Sequence, residues 1–249
     1  METERTALVL SAGGMFCAWQ AGVWSALAGR LRPDVVIGVS AGALNAWAIA
    51  AGCSPEQIEA WWLDPGLAQC SRLRFPWPPW SGLLDPAPLR AFLQRLAALE
   101  PRIEVLIATT ELPALRPRLF RGCEVGWEHL AASCAVPLCF PPVKLGGAWH
   151  VDGGLLCALP LWALTEARVR RAVAVHVLRE PPSRWMAALL GAVRRKARGL
   201  AAIPPHVSVE LIAPESPLGS VWDAFFWRRE NIERWIEAGR QAAGRLRNI

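Results

Sequence analysis

Apolar residues fall along this chain in long uncharged runs, separated by short breaks of glycine, serine or charge. The runs over residues 6–29 and 35–55 contain no charged side chain, and each is long enough to cross a bilayer. Small residues nevertheless interrupt both runs, at Ser11–Gly14 and at Gly38–Gly42. Because such breaks leave backbone groups unsatisfied in lipid, a buried strand followed by a packing helix explains each run better than a membrane span.

The same alternation of strand and helix patterns continues to the end of the chain. It predicts strands at 7–10, 35–37, 103–109, 117–121, 172–178 and 207–212. It predicts helices over 18–31, 43–51, 55–63, 86–99, 128–135, 160–167 and 183–200, with a last helix that begins near Ser220. Prolines exclude regular structure from Phe75–Trp80. Strands that alternate with helices predict an α/β fold, with three α/β/α layers around a central, mostly parallel sheet.

Composition limits the compartment and the partners. The chain has 249 residues, of which 53% are hydrophobic, and this excludes disordered, coiled-coil and collagen-like proteins. The net charge of +6 favours anionic partners, but no basic run is interleaved with stacking aromatics, so we expect no nucleic acid. Seven cysteines without a CxxC pair predict buried thiols in a reducing compartment and no metal site. Met1–Arg5 is a poor signal-peptide start, and we therefore expect a cytoplasmic protein.

One motif carries chemistry. Gly38-Val39-Ser40-Ala41-Gly42 fits the pattern G-x-S-x-G and lies between an apolar strand and a helix. A serine on so tight a turn exposes its hydroxyl at the carboxyl edge of the sheet, and the next backbone N–H faces the reacting carbonyl. The motif therefore indicates Ser40 as a nucleophile and the amide of Ala41 as an oxyanion donor, with Gly38 and Gly42 relieving clashes in the turn.

A nucleophilic serine needs a base, and two candidates follow it in the chain. Asp152 is the better one, because Gly153 and Gly154 directly after it leave its side chain uncrowded. His150 lies two residues earlier and, in an extended segment, shares the side of the chain that Asp152 occupies. His150 therefore stays open as an alternative base or as an ordinary packed loop residue.

These and other motifs, taken in order, resemble the patatin-like phospholipases. The matching segments are Ser11–Gly14, Trp19–Val23, Gly38–Gly42, Gly82–Asp85, Ala131–Pro137, Phe140–Pro142 and Asp152–Gly154. They span roughly residues 7–160, which is most of the chain. The resemblance implies one patatin-like domain over 1–249, with a motif-bearing core at about 5–178 and a C-terminal part, 179–249, that completes it.

The resemblance also implies an activity. A member of this family is a serine acyl hydrolase that cleaves carboxylic esters of phospholipids, lysophospholipids or neutral lipids through an acyl-enzyme. Its catalytic pair here would be Ser40 and Asp152, a dyad without a histidine. The glycine-rich loop after the first strand would supply oxyanion amides at Gly13, Gly14 and Met15, next to the amide that follows the nucleophile. No metal or cofactor is needed for this chemistry.

That loop departs from the family's pattern of three glycines, one further residue, a basic residue and a glycine. Ala12 and Cys17 stand at the outer glycine positions, and Phe16 stands at the basic one. Backbone amides survive any substitution except proline, but a positive φ at Ala12 or Cys17 would cost about 1 kcal/mol or more. The departures leave a second hypothesis open, a catalytically weakened relative that binds lipid or a protein partner.

A dinucleotide-binding fold is a further alternative, because Asp34 lies about twenty residues beyond a glycine-rich turn. The G-x-G-x-x-G spacing fails, however, since Ala12 and Cys17 occupy the outer glycine places. Asp34 also precedes the second strand, whereas the acid that binds the ribose stands at the carboxyl end of that strand. The sequence therefore favours the hydrolase.

Two segments are suited to a lipid surface. Trp77 and Trp80 are of the residue type that lies at headgroup depth, although core packing explains them equally well. The predicted helix over 183–200 joins apolar residues to four cations between 194 and 198, a pattern typical of anionic membrane surfaces or of an ordinary helix with a solvated basic end. Together they predict peripheral association with the inner face of the membrane. They indicate no oligomeric state.

Overall fold

The computed structural model describes residues 5–178 and 202–245, together with residues 191 and 200. Among these residues, eight strands form one sheet. They are β1 (Thr6–Leu10), β2 (Val35–Val39), β3 (Glu104–Leu112), β4 (Arg116–Arg121), β5 (Val143–Leu145), β6 (Ala148–Asp152), β7 (Arg171–Val175) and β8 (Ser208–Ile212). The strand order is β5-β6-β3-β2-β1-β7-β8, and β4 also pairs with β3. Strands β3, β2, β1, β7 and β8 are parallel, which confirms the predicted sheet.

Helices flank both faces of this sheet. They are α1 (Ala18–Leu27), α2 (Ala41–Ala50), α3 (Pro55–Leu63), α4 (Pro86–Ala97), α5 (Trp127–Ser133), α6 (Ala163–Ala167) and α7 (Arg229–Gly244). Alternate strand residues such as Leu8 and Val36 pack beneath most of these helices, whereas Val9 and Ile37 point to the other face, toward α6 and the segment that leads into it. The period of two along each strand thus builds the three predicted layers.

The two apolar runs fold as strand, turn and helix, as predicted. The start of the last helix was predicted wrongly, because α7 begins at Arg229. Asp223 Oδ2 accepts hydrogen bonds from the backbone N–H and the hydroxyl of Ser220, and this closes a separate turn before the helix. All seven cysteines are free as expected, although Cys123 is exposed and not buried. The predicted helix over 183–200 lies outside the described residues, apart from residues 191 and 200.

Helix α7 lies directly against α1. A Cβ added at Gly22 of α1 would lie 1.8 Å from the carbonyl oxygen of Ile236, and one added at Gly239 of α7 would lie 2.1 Å from that of Trp19. The backbones therefore touch at two glycines, and no side chain fits between them.

None of the described helices has the length and the apolar sequence needed to span a bilayer.

The register of β3 decides where the site forms. Residues 104–108 of β3 pair with β2, and residues 109–112 pair with β6. Strand β4 overlaps both stretches, so it occupies the opposite edge of β3, and β2 and β6 share one edge end to end. Val39 pairs with Ala108 and Asp152 pairs with Thr109. The residue after β2, Ser40, therefore meets the last residue of β6, Asp152.

Candidate active site

Ser40 lies in a sharp turn between β2 and α2. Its φ of 56° and ψ of −137° place it in a region that is unfavourable for any residue with a Cβ, at a cost of about 1–3 kcal/mol. The turn is held from behind, because the Ser40 amide donates to Ser133 Oγ at 2.8 Å. Ser133 Oγ in turn donates to the carbonyl oxygen of Ala108, also at 2.8 Å. Helix α5 and strand β3 thus fix the backbone of the serine.

The glycines of the motif allow this turn to pack against its neighbours. A Cβ at Gly38 would lie 2.6 Å from the Cα of Ala43, and one at Gly42 would lie 2.3 Å from the carbonyl oxygen of Ser11. Both positions therefore exclude any larger residue without a backbone shift.

The Ser40 hydroxyl donates to Asp152 Oδ2 at 2.6 Å. The other carboxylate oxygen, Oδ1, accepts from the Gly154 amide, also at 2.6 Å. Gly153 packs so tightly that a Cβ added there would lie 2.7 Å from the carbonyl oxygen of Ala108. Ser40 and Asp152 are only 5% and 4% exposed. The turn after β6 thus aims a buried carboxylate at the serine.

Burial changes the acidity of this carboxyl group. Removal from water raises the pKa of Asp152 from 3.8 to about 6, while the hydrogen bonds from Ser40 and Gly154 act in the opposite direction. A carboxylate with this pKa is a stronger base than an exposed one and is still ionised at neutral pH. The geometry and the acidity of Asp152 both suit acceptance of a proton from Ser40.

His150, the alternative base, faces other groups. Its Nδ1 lies 2.9 Å from Thr109 Oγ1, and its ring packs against Phe120 with a centroid distance of 5.6 Å. Burial lowers the pKa of His150 below its ordinary value. The structure therefore brings Asp152, and not His150, to the hydroxyl of Ser40.

The glycine loop, Gly13–Met15, follows β1 and borders the same space. Gly14 has a φ of +56°, and a Cβ there would lie 2.2 Å from the carbonyl oxygen of Ala224. Within the described part of the chain, the amides of the loop and of Ala41 donate to no other group. Gly14 and Met15 line one cleft together with Ser40 and Ala41. Among the described residues, the amides of Gly14, Met15 and Ala41 are therefore available to a ligand beside the serine.

The departures from the family's loop pattern carry no backbone strain. Cys17 has a φ of −67°, and Ala12 is not among the described non-glycine residues with positive φ. Gly14, the loop position with a left-handed backbone, has kept its glycine. Phe16 is buried edge-to-face against Trp235 of α7, with a centroid distance of 5.0 Å. The residue that replaces the basic side chain thus anchors the loop to the C-terminal helix.

A buried polar network behind the loop was not predicted. Asn45 Nδ2 donates to the carbonyl oxygen of Cys17 at 2.9 Å and to Gln20 Oε1 at 3.0 Å. Gln20 Nε2 donates to the carbonyl oxygen of Ser11 at 2.8 Å. The network ties both ends of the loop to α2, the helix that follows Ser40. The sequence signal for this network was a single amide side chain in each uncharged apolar run, Gln20 in the first and Asn45 in the second. The role of Ser133 was missed as well, although Ser133 lies in the motif Ala131–Pro137.

Two apolar clefts meet at Ser40. The first has about 830 Å³ of space outside the protein atoms, counting open solvent at its mouth, and the second about 760 Å³. The first extends between α3 and α4 past Leu44, Trp61, Leu89 and Phe92. The second passes Asp152 and Leu155, and Phe225 borders both. A long apolar group therefore has room beside the serine.

The arrangement does not suit the nucleotide alternative. Asp34 Oδ2 accepts from the Thr6 amide at 2.7 Å, which places it at the amino end of β1, away from the glycine loop. Among the described residues, no cluster of three or more His, Cys, Asp or Glu side chains is placed to hold a metal ion.

A model of the family described as patatin-like phospholipase matches residues 8–165. The chain belongs to this family. The match ends within α6, so the patatin-like core holds Ser40 and Asp152, while β7, β8 and α7 lie beyond it. Phe225, which borders both clefts, also comes from this C-terminal part.

A solved structure shows the same fold. VipD from Legionella pneumophila aligns with a TM-score of 0.52 and 15% identity, over 96% of this chain and 66% of its own. The type III effector protein ExoU aligns with a TM-score of 0.45 and 14% identity, over 97% of this chain and 52% of its own. This chain thus spans about two thirds of the length of VipD and about half of the length of ExoU. No curated protein matches the sequence significantly.

Proposed function

We propose that this chain is a serine acyl hydrolase that cleaves carboxylic esters of lipids through Ser40 and Asp152. The proposal rests on the 2.6 Å hydrogen bond from Ser40 Oγ to Asp152 Oδ2 beside an apolar cleft. Such a contact gives a serine hydroxyl a base within reach of its proton. Membership of the patatin-like phospholipase family supports a lipid as the substrate.

In the proposed reaction, Ser40 Oγ attacks the ester carbonyl carbon while its proton moves to Asp152 Oδ2. Negative charge develops on the carbonyl oxygen, and the amides of the glycine loop and of Ala41 stabilise it. The intermediate then collapses, the bond to the alcohol breaks, and Asp152 gives its proton to the departing alcohol. Water next attacks the acyl-enzyme while Asp152 takes its proton, and Asp152 returns that proton to Ser40 Oγ as the fatty acid leaves.

The substrate's acyl chain lies in the first cleft, where Leu44, Leu89 and Phe92 present apolar side chains. Phospholipids, lysophospholipids and neutral lipids all carry such a chain, and the enzyme meets them as a peripheral protein at a membrane surface. The whole chain acts as one patatin-like domain in this proposal. That view is supported by the contact between α1 and α7 and by the position of Phe225 beside Ser40.

Hydrolysis by wild type, Ser40→Ala and Asp152→Asn tests the proposal, with a short-chain soluble ester and a phospholipid as substrates. We expect both variants to lose at least about 1,000-fold in kcat, because each removes one half of the dyad. Ser25→Ala, on the half-buried part of α1, serves as the matched control and keeps wild-type turnover.

A fluorophosphonate probe distinguishes the enzyme from the binding-protein alternative. It should label wild type and Ser25→Ala at Ser40 and leave Ser40→Ala unlabelled. Wild type that neither reacts with the probe nor hydrolyses either ester would support a catalytically weakened binding protein. Full activity in Asp152→Asn would remove Asp152 from the mechanism.

A further inference from the structure

Large apolar side chains project into solvent from one loop region. Phe75, Trp77 and Leu138 are 86%, 80% and 81% exposed, which is the opposite of core packing. Leu73, Trp80 and Leu83 are exposed as well. We call these six residues the apolar face. Their exposure decides the question that the sequence left open for the two tryptophans.

The six residues come from two segments that hydrogen bonds hold together. Leu73 and Leu84 form an antiparallel bridge, which folds residues 73–84 back on themselves. The Leu83 amide donates to the carbonyl oxygen of Leu138 at 2.9 Å, and the Leu84 amide donates to that of Cys139 at the same distance. The six residues therefore lie on two segments that backbone hydrogen bonds join, and not on scattered parts of the chain.

Leu138 adds an independent observation. Its φ is 71°, a left-handed conformation that costs a residue with a Cβ about 1 kcal/mol or more. The strained backbone supports a leucine that buries almost none of its surface within the chain. Neither the strain nor the exposure stabilises the folded chain on its own.

The same segments border the first cleft. Leu84 is buried next to the exposed Leu83, and it lines that cleft together with Val136 and Phe140, which flank Leu138. One side of this loop pair therefore faces the space beside Ser40, and the other side is the apolar face. A lipid surface in contact with the face would lie at the rim of the cleft.

The charges around the face favour a lipid surface over a protein partner. No Asp or Glu occurs between Asp64 and Asp85, or between Glu128 and Asp152. Arg72 and Arg74 lie within the first stretch and Lys144 within the second. Cations close in sequence to exposed tryptophans match the interface of an anionic bilayer, where indole rings lie among the headgroups and arginines meet phosphate.

We propose that the apolar face docks on an anionic lipid surface and presents the mouth of the first cleft to it. A lipid acyl chain then passes from the bilayer into the cleft between Leu84 and Phe140 without crossing bulk water. This inference rests on the proposed function for the fate of the lipid, whereas the docking itself does not depend on hydrolysis.

Binding and catalysis are measured separately. Sedimentation with vesicles of phosphatidylcholine and phosphatidylglycerol in equal parts uses Ser40→Ala protein, so that no lipid is consumed. In that background, Phe75→Ser/Trp77→Ser/Trp80→Ser should lower the partition constant at least about tenfold, because three large apolar side chains leave the interface. Leu211→Ser and Ile203→Ser, which remove exposed apolar residues on or near β8, serve as controls and should leave it unchanged.

The triple variant with Ser40 intact should keep kcat/KM for a soluble short-chain ester and lose hydrolysis of vesicle lipid in parallel with binding. Unchanged partition of the triple variant would overturn the docking proposal and leave the proposed hydrolase untouched. A wild-type chain that sediments alone as a dimer, and a triple variant that stays monomeric, would assign the face to a second copy. Docking without any ester hydrolysis would overturn the proposed function alone.

Discussion

Two regions of this molecule bring backbone directly against backbone at glycine, and they differ in everything else. At the helix contact, Gly22 of α1 and Gly239 of α7 approach each other's helices among buried apolar residues such as Trp19 and Ile236. At the catalytic corner, the approach is made by the glycines on either side of Ser40 and directly after Asp152. Both regions are buried and tightly packed.

The difference lies in what each region encloses. The helix contact holds regular helix and apolar side chains, so its packing contributes stability. The catalytic corner holds a serine with a positive φ and a carboxylate whose ionised form is disfavoured by burial. Such a corner costs stability, which the surrounding structure must offset. The same close packing therefore stabilises the fold in one region and maintains an unfavourable, reactive arrangement in the other.

The largest expected effect on stability is at the helix contact. Gly239→Ala puts a Cβ 2.1 Å from the Trp19 carbonyl oxygen and 3.0 Å from the Val23 amide nitrogen, so the helices must separate. We expect the free energy of unfolding to fall by about 3 kcal/mol, measured by urea denaturation. Gly244→Ala, in the same helix with open space around its Cβ, should be neutral or stabilising. Equal stabilities for the two variants would contradict the close approach.

A substitution at the catalytic corner should change the free energy of unfolding in the opposite direction. Asp152→Asn removes the cost of burying a charge while an amide keeps the shape of the side chain, with its oxygen accepting from the Gly154 amide and its Nδ2 donating to Ser40 Oγ. A rise in pKa from 3.8 to about 6 corresponds to about 3 kcal/mol at neutral pH, so we expect Asp152→Asn to gain about 1–3 kcal/mol of stability at pH 7. Urea denaturation of the variant and of wild type measures the gain.

The pH dependence sharpens this prediction. The folded pKa of Asp152 lies above its unfolded value, so its contribution to wild-type stability is fully present below about pH 4 and is lost as the pH rises through about 6. The advantage of Asp152→Asn should therefore appear between these values and vanish in acid. Turnover should fall as the pH drops through about 6, because protonated Asp152 accepts no proton from Ser40. A gain in stability that is independent of pH would refute the buried charge as its cause.

The smallest effect is expected behind the nucleophile. Ser133→Ala leaves the Ser40 amide and the Ala108 carbonyl without their buried partner. We expect a loss of about 1–2 kcal/mol in stability and about tenfold in kcat with little change in KM, because the serine turn relaxes while the cleft is preserved. Ser133→Thr, which retains the hydroxyl, should recover most of the turnover. Loss of stability without loss of kcat would make Ser133 a purely structural residue.

The parts of the fold that could be predicted are those that depend on the local pattern of apolar residues and glycines. The strand, turn and helix around Ser40 follow from an apolar run interrupted by glycines, and the sheet follows from the repetition of that unit. The start of the last helix could not be found from periodicity, because the turn closed by Asp223 depends on side-chain hydrogen bonds to Ser220. The network of Gln20 and Asn45 was missed for a similar reason, since a lone amide in an apolar run reveals nothing about its partner.

The sequence by itself determined that this chain folds as an α/β protein, that Ser40 lies in a sharp turn and that Asp152 stands directly before two glycines. Those features depend on neighbouring residues, whose sterics and hydrophobic spacing act over a few positions. Only the tertiary structure decided that Asp152 and not His150 reaches Ser40, because the pairing of β2 and β6 along one edge of β3 joins residues 112 positions apart. It also decided that Trp77 and Trp80 lie on the surface, since burial depends on every segment that packs nearby.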